Sequence, residues 1–209
     1  MIAIIDYDIG NVAAVANMLQ RLGLPCKVTA RADEVEQAER IILPGNGAFD
    51  ACMQNLRASG LIPVLEQQVL QRCVPLLGIC VGAQMLGHGS EEGQEPGLGW
   101  IDMWVKRFPA LPGLRIPHMG WNRVQPIQPT NLLTKDMTAE ARFYFVHSYY
   151  MAPQDSANIL LQANYGIDFA AGVVRDNIAG VQFHPEKSHR FGKQLLAAFV
   201  GGDRSCKRV

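Results

Sequence analysis

The 209-residue chain predicts an α/β fold, a mostly parallel sheet with helices on both faces. Three observations predict it. Short continuous apolar runs of strand length alternate with segments whose apolar residues recur at helical spacing. Glycines and prolines punctuate the junctions between them. At one junction, Pro75-Leu76-Leu77-Gly78-Ile79-Cys80-Val81-Gly82-Ala83-Gln84, an apolar run stops at a cysteine set between two glycines, and a helix-compatible segment follows. Such a strand-to-helix handover suits a sheet whose strands are joined by helical crossovers.

The elements follow in order. Residues 2–5 are an unbroken apolar run, as in a strand buried on both faces. In 12–22, Val12, Val15, Ala16, Leu19 and Leu22 share one helical face, and Gly23 closes the helix. Residues 26–29 form a second strand, 32–38 a polar helical stretch and 40–43 a third strand, which runs into the turn-forming loop Pro44-Gly45-Asn46-Gly47. Segments 48–56 and 61–70 carry the helical period, and 74–79 is the strand that leads to Cys80. Residues 87–99, rich in Gly, Glu and Pro, form a loop. Beyond it the strands are short and broken by prolines, at 100–105, 121–124, 143–146, 159–163 and 170–174, which predicts antiparallel or mixed strands added to one edge. A last strand, 178–183, precedes a helix over 190–200. With no repeat and no long linker, 1–209 reads as a single domain.

Composition excludes several classes of function. Nineteen basic and nineteen acidic residues balance, so no field gathers nucleic acid or anionic membrane. No apolar segment reaches membrane-spanning length, and Met1–Ile5 reads as a first strand and not as a leader. The five cysteines (26, 52, 73, 80 and 206) show no CxxC and no paired framework, which favours free thiols in a reducing, cytoplasmic compartment. There is no GxxxxGK and no GxGxxG, so no phosphate loop.

The chemistry centres on Cys80. A thiol at the carboxyl end of a strand and the start of a helix is exposed to reagents and helped to ionise. It needs a base. Of the five histidines, His184 also follows a strand and so lies at the same end of the sheet. Pro185 favours extended backbone at His184, which turns Glu186 to the same side as the imidazole. Cys80, His184 and Glu186 then supply nucleophile, base and orienting group. Donors for an oxyanion are available at the Val81 N–H and in the loop around Asn46 and Gly47. One Cys, one His and one Glu make a poor zinc shell, so no metal is expected.

Taken together, Gly78-Ile79-Cys80-Val81-Gly82-Ala83-Gln84, Gln182-Phe183-His184-Pro185-Glu186 and Leu43-Pro44-Gly45-Asn46-Gly47 resemble the motifs of the class I, triad-type glutamine amidotransferases. Pro117-His118-Met119-Gly120-Trp121-Asn122, Tyr144-Phe145-Val146-His147-Ser148-Tyr149 and His184-Pro185-Glu186-Lys187-Ser188 resemble those of their imidazole glycerol phosphate synthase branch. The likeness runs from Asp6-Tyr7 to the final helix. It implies a flavodoxin-like sheet and no cofactor. It implies that Cys80 attacks the side-chain amide of glutamine, that His184 protonates the departing ammonia and then activates water, and that Glu186 orients His184. It assigns Gly45, Gly47, Gln84, His147, Ser148 and Tyr149 to the glutamine pocket. It gives Asn11, Trp121 and Lys187 to the interface with a (β/α)8 cyclase subunit, the partner in a heterodimer. Ammonia would pass through that barrel to make imidazole glycerol phosphate and AICAR in histidine biosynthesis.

The chain departs from the family pattern at Asn46, where a small apolar residue is usual, at Val81 and Ala83 in the elbow helix, and at Asp8, where glycine is usual. These departures leave room for a paralogue feeding ammonia to another synthase, such as one amidating a surface-polysaccharide sugar. A Cys–His hydrolase or protease on a related fold and a non-catalytic module are the remaining alternatives.

Overall fold

A computed structural model of the chain describes residues 1–202. The apolar run at the start forms β1 (Ile2–Ile5), buried on both faces between two parallel neighbours, β2 (Cys26–Thr29) and β3 (Arg40–Gly45). The helix α1 (Val12–Arg21) makes the first crossover by burying Val15, Ala16 and Leu19 against the sheet, and it ends where Gly23 takes φ 71°. After α2 (Ala32–Glu36) and β3 come α3 (Phe49–Ala58) and α4 (Ile62–Glu66), the latter prolonged by a π-helical turn over Gln67–Gln71. These lead to β4 (Leu76–Cys80), parallel to β3 with Gly45 opposite Cys80. The strand β12 (Ile178–Val181) returns from far along the chain to lie parallel on the other side of β4, Ile79 opposite Val181.

The parallel part of the sheet therefore runs β2-β1-β3-β4-β12. Antiparallel strands extend it beyond β12: β11 (Ile167–Arg175), β10 (Ile159–Tyr165) and β7 (Gln125–Pro126), with β9 (Tyr149–Pro153) pairing both β11 and β5 (Met103–Arg107). This is the mixed extension that the proline-broken strands predict. One part differs: β6 (His118–Arg123) and β8 (Arg142–His147) pair with each other as a separate two-stranded ribbon. A single bridge between Tyr144 and His184 and the stacking of Phe143 on Phe183, ring centroids 3.9 Å apart, fasten that ribbon to the end of β12. The residues for a ribbon and for an edge strand have the same alternating pattern, so the pattern alone does not separate them. Strand β9 escapes the sequence reading for a related reason: its half-buried Tyr149, Tyr150 and Ala152 lack a clean alternation.

The helix after Cys80, α5 (Val81–Gln84), lasts only one turn. Its exit is set by Gly87, where a side chain would crowd the Met103 carbonyl and where the chain turns to pair with β5. The final helix α6 (His189–Gly201) buries Phe191, Leu195, Leu196 and Phe199 against the core. Cys26, Cys52 and Cys80 are free thiols, whereas Cys73 departs from the expectation and is disulfide-bonded. Cys206 lies outside the described residues. Among the described residues no helix is long and apolar enough to cross a membrane.

Candidate active site

The centre of the site is the end of β4. Cys80 sits at φ 55°, ψ −115°, backbone that L side chains avoid and that costs on the order of 1–3 kcal/mol. Packing holds it there. A side chain at Gly82 would collide with the Leu43 carbonyl, and one at Gly45 would collide with the Gly82 amide. A Cβ at Gly78 would come within 2.7 Å of both Ala83 Cα and the Gly82 carbonyl oxygen. On β12, a Cβ at Gly180 would come within 2.8 Å of Ala83 Cβ. These glycines let α5 lie directly on the ends of β3, β4 and β12. The turn itself is made by Cys80, and Gly78 serves close packing.

His184 follows β12 and is 2% exposed. Its Nδ1 is 2.8 Å from Glu186 Oε1, and both side chains are buried. The contact forms differently from expectation. His184 is extended, but Pro185–Lys187 then folds into a 3-10 turn that swings Glu186 back over the ring. Ser188 fixes that turn: its hydroxyl donates to the His184 carbonyl at 2.6 Å and accepts from the Tyr144 amide at 3.0 Å. Among the described residues His184 Nε2 has no hydrogen-bond partner. Burial alone would lower the imidazole, but the Cys80 thiol and the Glu186 carboxylate outweigh burial and push it up to about 9.

Cys80 opens into a cleft of about 230 Å³. Asn46, Gly47, Val81, Gln84, His147, Ser148 and Tyr149 all line it. Gly45 does not. It lies under the cleft, paired with Cys80 and pressed against Val81 and Gly82, because strand β3 continues through Pro44 and Gly45. Glu92 and Pro117 also line the cleft, and the sequence reading misses both. Glu92 comes from the loop after α5, and its Oε2 accepts the Phe49 amide at the start of α3 at 2.9 Å. Only the Glu-rich composition of that loop hinted at it. Gln182 is missed too, although it stands in a quoted motif. It is fully buried, accepts from Gln84 Nε2 at 3.0 Å, and directs its own Nε2 toward Cys80 Sγ at 3.9 Å. Gln84 Nε2 also donates to the Tyr149 carbonyl, at 3.2 Å.

A pair of neutral imidazoles backs the cleft wall. His147 Nδ1 donates to the Tyr149 carbonyl at 2.7 Å, which leaves Nε2 to accept from His118 Nδ1 at 2.9 Å, and His118 Nε2 faces the Asn122 amide at 3.3 Å. Burial lowers His118 to about 4. Burial, with the neighbouring His118 and His184, lowers His147 to about 3.

Of the residues expected at an interface, Trp121 is 45% exposed on the ribbon and stacks on His189 at 5.5 Å. Lys187 places its ammonium 5.9 Å from the Tyr144 ring centroid. Asn11 opens α1, which packs against the Pro185–Lys187 turn. None of the three lines the cleft. A second cavity, of about 280 Å³, lies at the opposite end of β4 among Arg40, Leu76, Asn177 and Phe199. Among the described residues it is lined by no cysteine or histidine, whereas the smaller cleft holds the thiol and an imidazole. Among the described residues no group of three or more His, Cys, Asp or Glu side chains is placed to hold a metal ion.

The family model for glutamine amidotransferase class-I matches residues 3–201. The chain is 55% identical over 200 residues to the imidazole glycerol phosphate synthase subunit HisH 2 of Pseudomonas aeruginosa, covering 96% of this chain and 98% of that one. It is 49% identical over 202 residues to the subunit HisH of Bdellovibrio bacteriovorus, covering 95% and 98%. The structure of PurLQS from Thermotoga maritima has the same fold, with a TM-score of 0.75 over 95% of this chain and 96% of that one at 18% identity. The chain belongs to the class I glutamine amidotransferases, and within them to the HisH-type subunits.

Proposed function

We propose that this chain is the glutaminase subunit of an imidazole glycerol phosphate synthase, working in the cytoplasm as a single domain. The observation that carries the glutaminase reading is the pairing of a strained, cleft-facing Cys80 with a buried His184 whose Nδ1 is taken by Glu186 and whose Nε2 is left for chemistry. The Cys80 thiolate attacks the side-chain amide carbon of glutamine. The Val81 and Gly47 N–H groups, with Asn46 beside them, receive the oxyanion. His184 passes its proton to the amide nitrogen, which leaves as ammonia, and the acyl group remains as a thioester on Cys80. The neutral imidazole then takes a proton from water as it adds to the thioester, and glutamate is released with the thiol restored. Gln84, His147, Ser148 and Tyr149 form the walls that hold glutamine, and the Glu92 carboxylate suits its α-ammonium group. Ammonia then passes to a (β/α)8 cyclase that docks over Asn11, Trp121 and Lys187. The 55% identity to a synthase subunit over nearly the whole chain supports that pathway.

One observation favours a second reading. The Pseudomonas aeruginosa relative is numbered as a second HisH. A second glutaminase can serve a second ammonia acceptor, such as a sugar amidotransferase, and Asp8, Asn46, Val81 and Ala83 are the positions at which this chain departs from the family pattern. The test is reconstitution. With a cyclase barrel and its nucleotide substrate, the wild-type chain should support glutamine-dependent synthesis. Cys80→Ala should abolish that and leave ammonia-dependent synthesis intact. Failure of the cyclase to bind or respond, with a sugar amidotransferase responding in its place, would overturn the histidine assignment and keep the glutaminase.

A further inference from the structure

The floor of the cleft is held from the core side by two side chains that have no part in the reaction as described. Tyr7, just after β1, is 2% exposed, and its hydroxyl donates to the Pro44 carbonyl at 2.6 Å. Cys52, on α3, is fully buried, and its thiol donates to the Asn46 carbonyl at 3.5 Å, within the range for sulfur. The two side chains are neighbours, and both lie close to Cys80. Asn55, one turn along α3 from Cys52, donates to the Tyr7 carbonyl at 3.3 Å, so Tyr7 and Cys52 are tied to one helix.

The consequence lies in the peptide planes. In a trans peptide the C=O and the following N–H point in opposite directions. Cys52 draws the Asn46 carbonyl into the core, and this turns the Gly47 N–H the other way, toward the cleft that Gly47 lines. Gly47 takes φ 95°, which only glycine adopts without strain, so the loop can follow this peptide without resistance from its own side chain. If the thiol is removed, a buried carbonyl loses its donor. The Asn46–Gly47 peptide can then recover solvation by rotating its oxygen into the cleft. That rotation withdraws the donor and places negative charge where the oxyanion must form.

We propose that Cys52 and Tyr7 are positioning residues that clamp the Pro44–Gly47 loop with the Gly47 N–H turned to the cleft that Cys80 faces. The inference rests on the glutaminase reading above. It concerns transition-state donors, so it predicts a loss in kcat with little change in KM for glutamine. It also predicts no loss in a reaction of Cys80 that needs no oxyanion.

The experiment compares wild-type chain, Cys52→Ala, Cys52→Ser and Tyr7→Phe, each with the proposed cyclase partner. Glutamine hydrolysis is measured together with the alkylation of Cys80 by iodoacetamide, followed by mass spectrometry at that residue. The expected result for Cys52→Ala is a fall in kcat of about tenfold or more, approaching the hundredfold typical of a lost oxyanion donor. Tyr7→Phe should fall in the same direction and by less, and Cys52→Ser, which keeps a donor, should recover most of the rate. Alkylation of Cys80 and KM should stay within about twofold of wild type in all of them. Unchanged kcat in both Cys52→Ala and Tyr7→Phe would overturn the inference, and so would a parallel loss of alkylation, which would mean general disruption. Should Cys52→Ala fail to fold, Tyr7→Phe decides alone: unchanged kcat overturns the inference and a kcat-only loss upholds it. Absence of glutaminase activity in the wild-type complex, or its survival in Cys80→Ala, would overturn the underlying reading and the inference with it.

Discussion

At the scale of single residues, Glu186 does the most for its size. Its one hydrogen bond, Oε1 to His184 Nδ1, selects the imidazole tautomer that presents Nε2 to the thiol, and its charge helps hold the ring protonated. Glu186→Gln should keep the shape and remove the charge. We expect kcat for glutamine hydrolysis to fall by about 10²–10⁴-fold, and an NMR titration to find His184 below its wild-type value of about 9. An unchanged titration would mean that Glu186 has no electrostatic hold on the ring. The pairing was legible in the sequence because a histidine, a proline and a carboxylate in succession at a strand end leave few geometries. The residues that escaped, Glu92, Gln182 and Ser188, act through atoms that come from distant parts of the chain: Glu92 meets the start of α3, Gln182 meets Gln84, and Ser188 meets Tyr144. Spacing along a sequence carries no signal for such meetings.

At the scale of elements, the decisive feature is how closely α5 lies on the sheet. One helical turn over Gly45, Gly78 and Gly180 sets the height of Cys80 above β4. Gly78→Ala would bring a methyl group within 2.7 Å of backbone in α5. We expect a loss of about 1–3 kcal/mol in thermal or urea unfolding, together with a loss of glutamine turnover as the turn lifts. A variant with wild-type stability would show that α5 can move freely, contrary to this packing. The parallel strands and their helices were legible because buried strands and amphipathic helices have distinct periods. The register of β3 through Pro44 and Gly45 was not legible, since turn-forming residues hid a strand that only its pairing to β4 makes regular. The β6–β8 ribbon was hidden for the same reason: its partner is settled by tertiary packing and not by local pattern.

At the scale of the whole molecule, three buried imidazoles set how stability follows pH. In an unfolded chain each titrates near 6.5. His118 and His147 are held down to about 4 and about 3, so below 6.5 the unfolded chain binds protons that the folded chain refuses. Stability should therefore fall as pH drops from 6.5 toward 4, by up to about 1.4 kcal/mol per pH unit for each imidazole. His184 has the opposite sign. Raised to about 9, it keeps its proton in the folded chain after the unfolded chain has lost it. Its contribution is fully present below 6.5 and is lost as pH rises toward 9. Urea midpoints measured from pH 4 to 9 should peak near 6.5. Cys80→Ala, which removes one of the two groups that raise His184, should flatten the alkaline side and leave the acid side as it was. An alkaline side that keeps its slope in that variant would exclude the thiol as a cause.

The return of β12 to the flank of β4 also bears on when the protein becomes reactive. Residues 76–80 leave the ribosome long before residues 178–186, and every strand from β5 to β11 is made in between. Until β12 docks, β4 has an open edge beside a buried-type apolar strand, the kind of surface that invites wrong pairing during synthesis. The base travels with the strand that closes this edge. Sealing the sheet and arming the thiol are thus one folding event, and a chain still being translated cannot spend glutamine before it has a finished sheet.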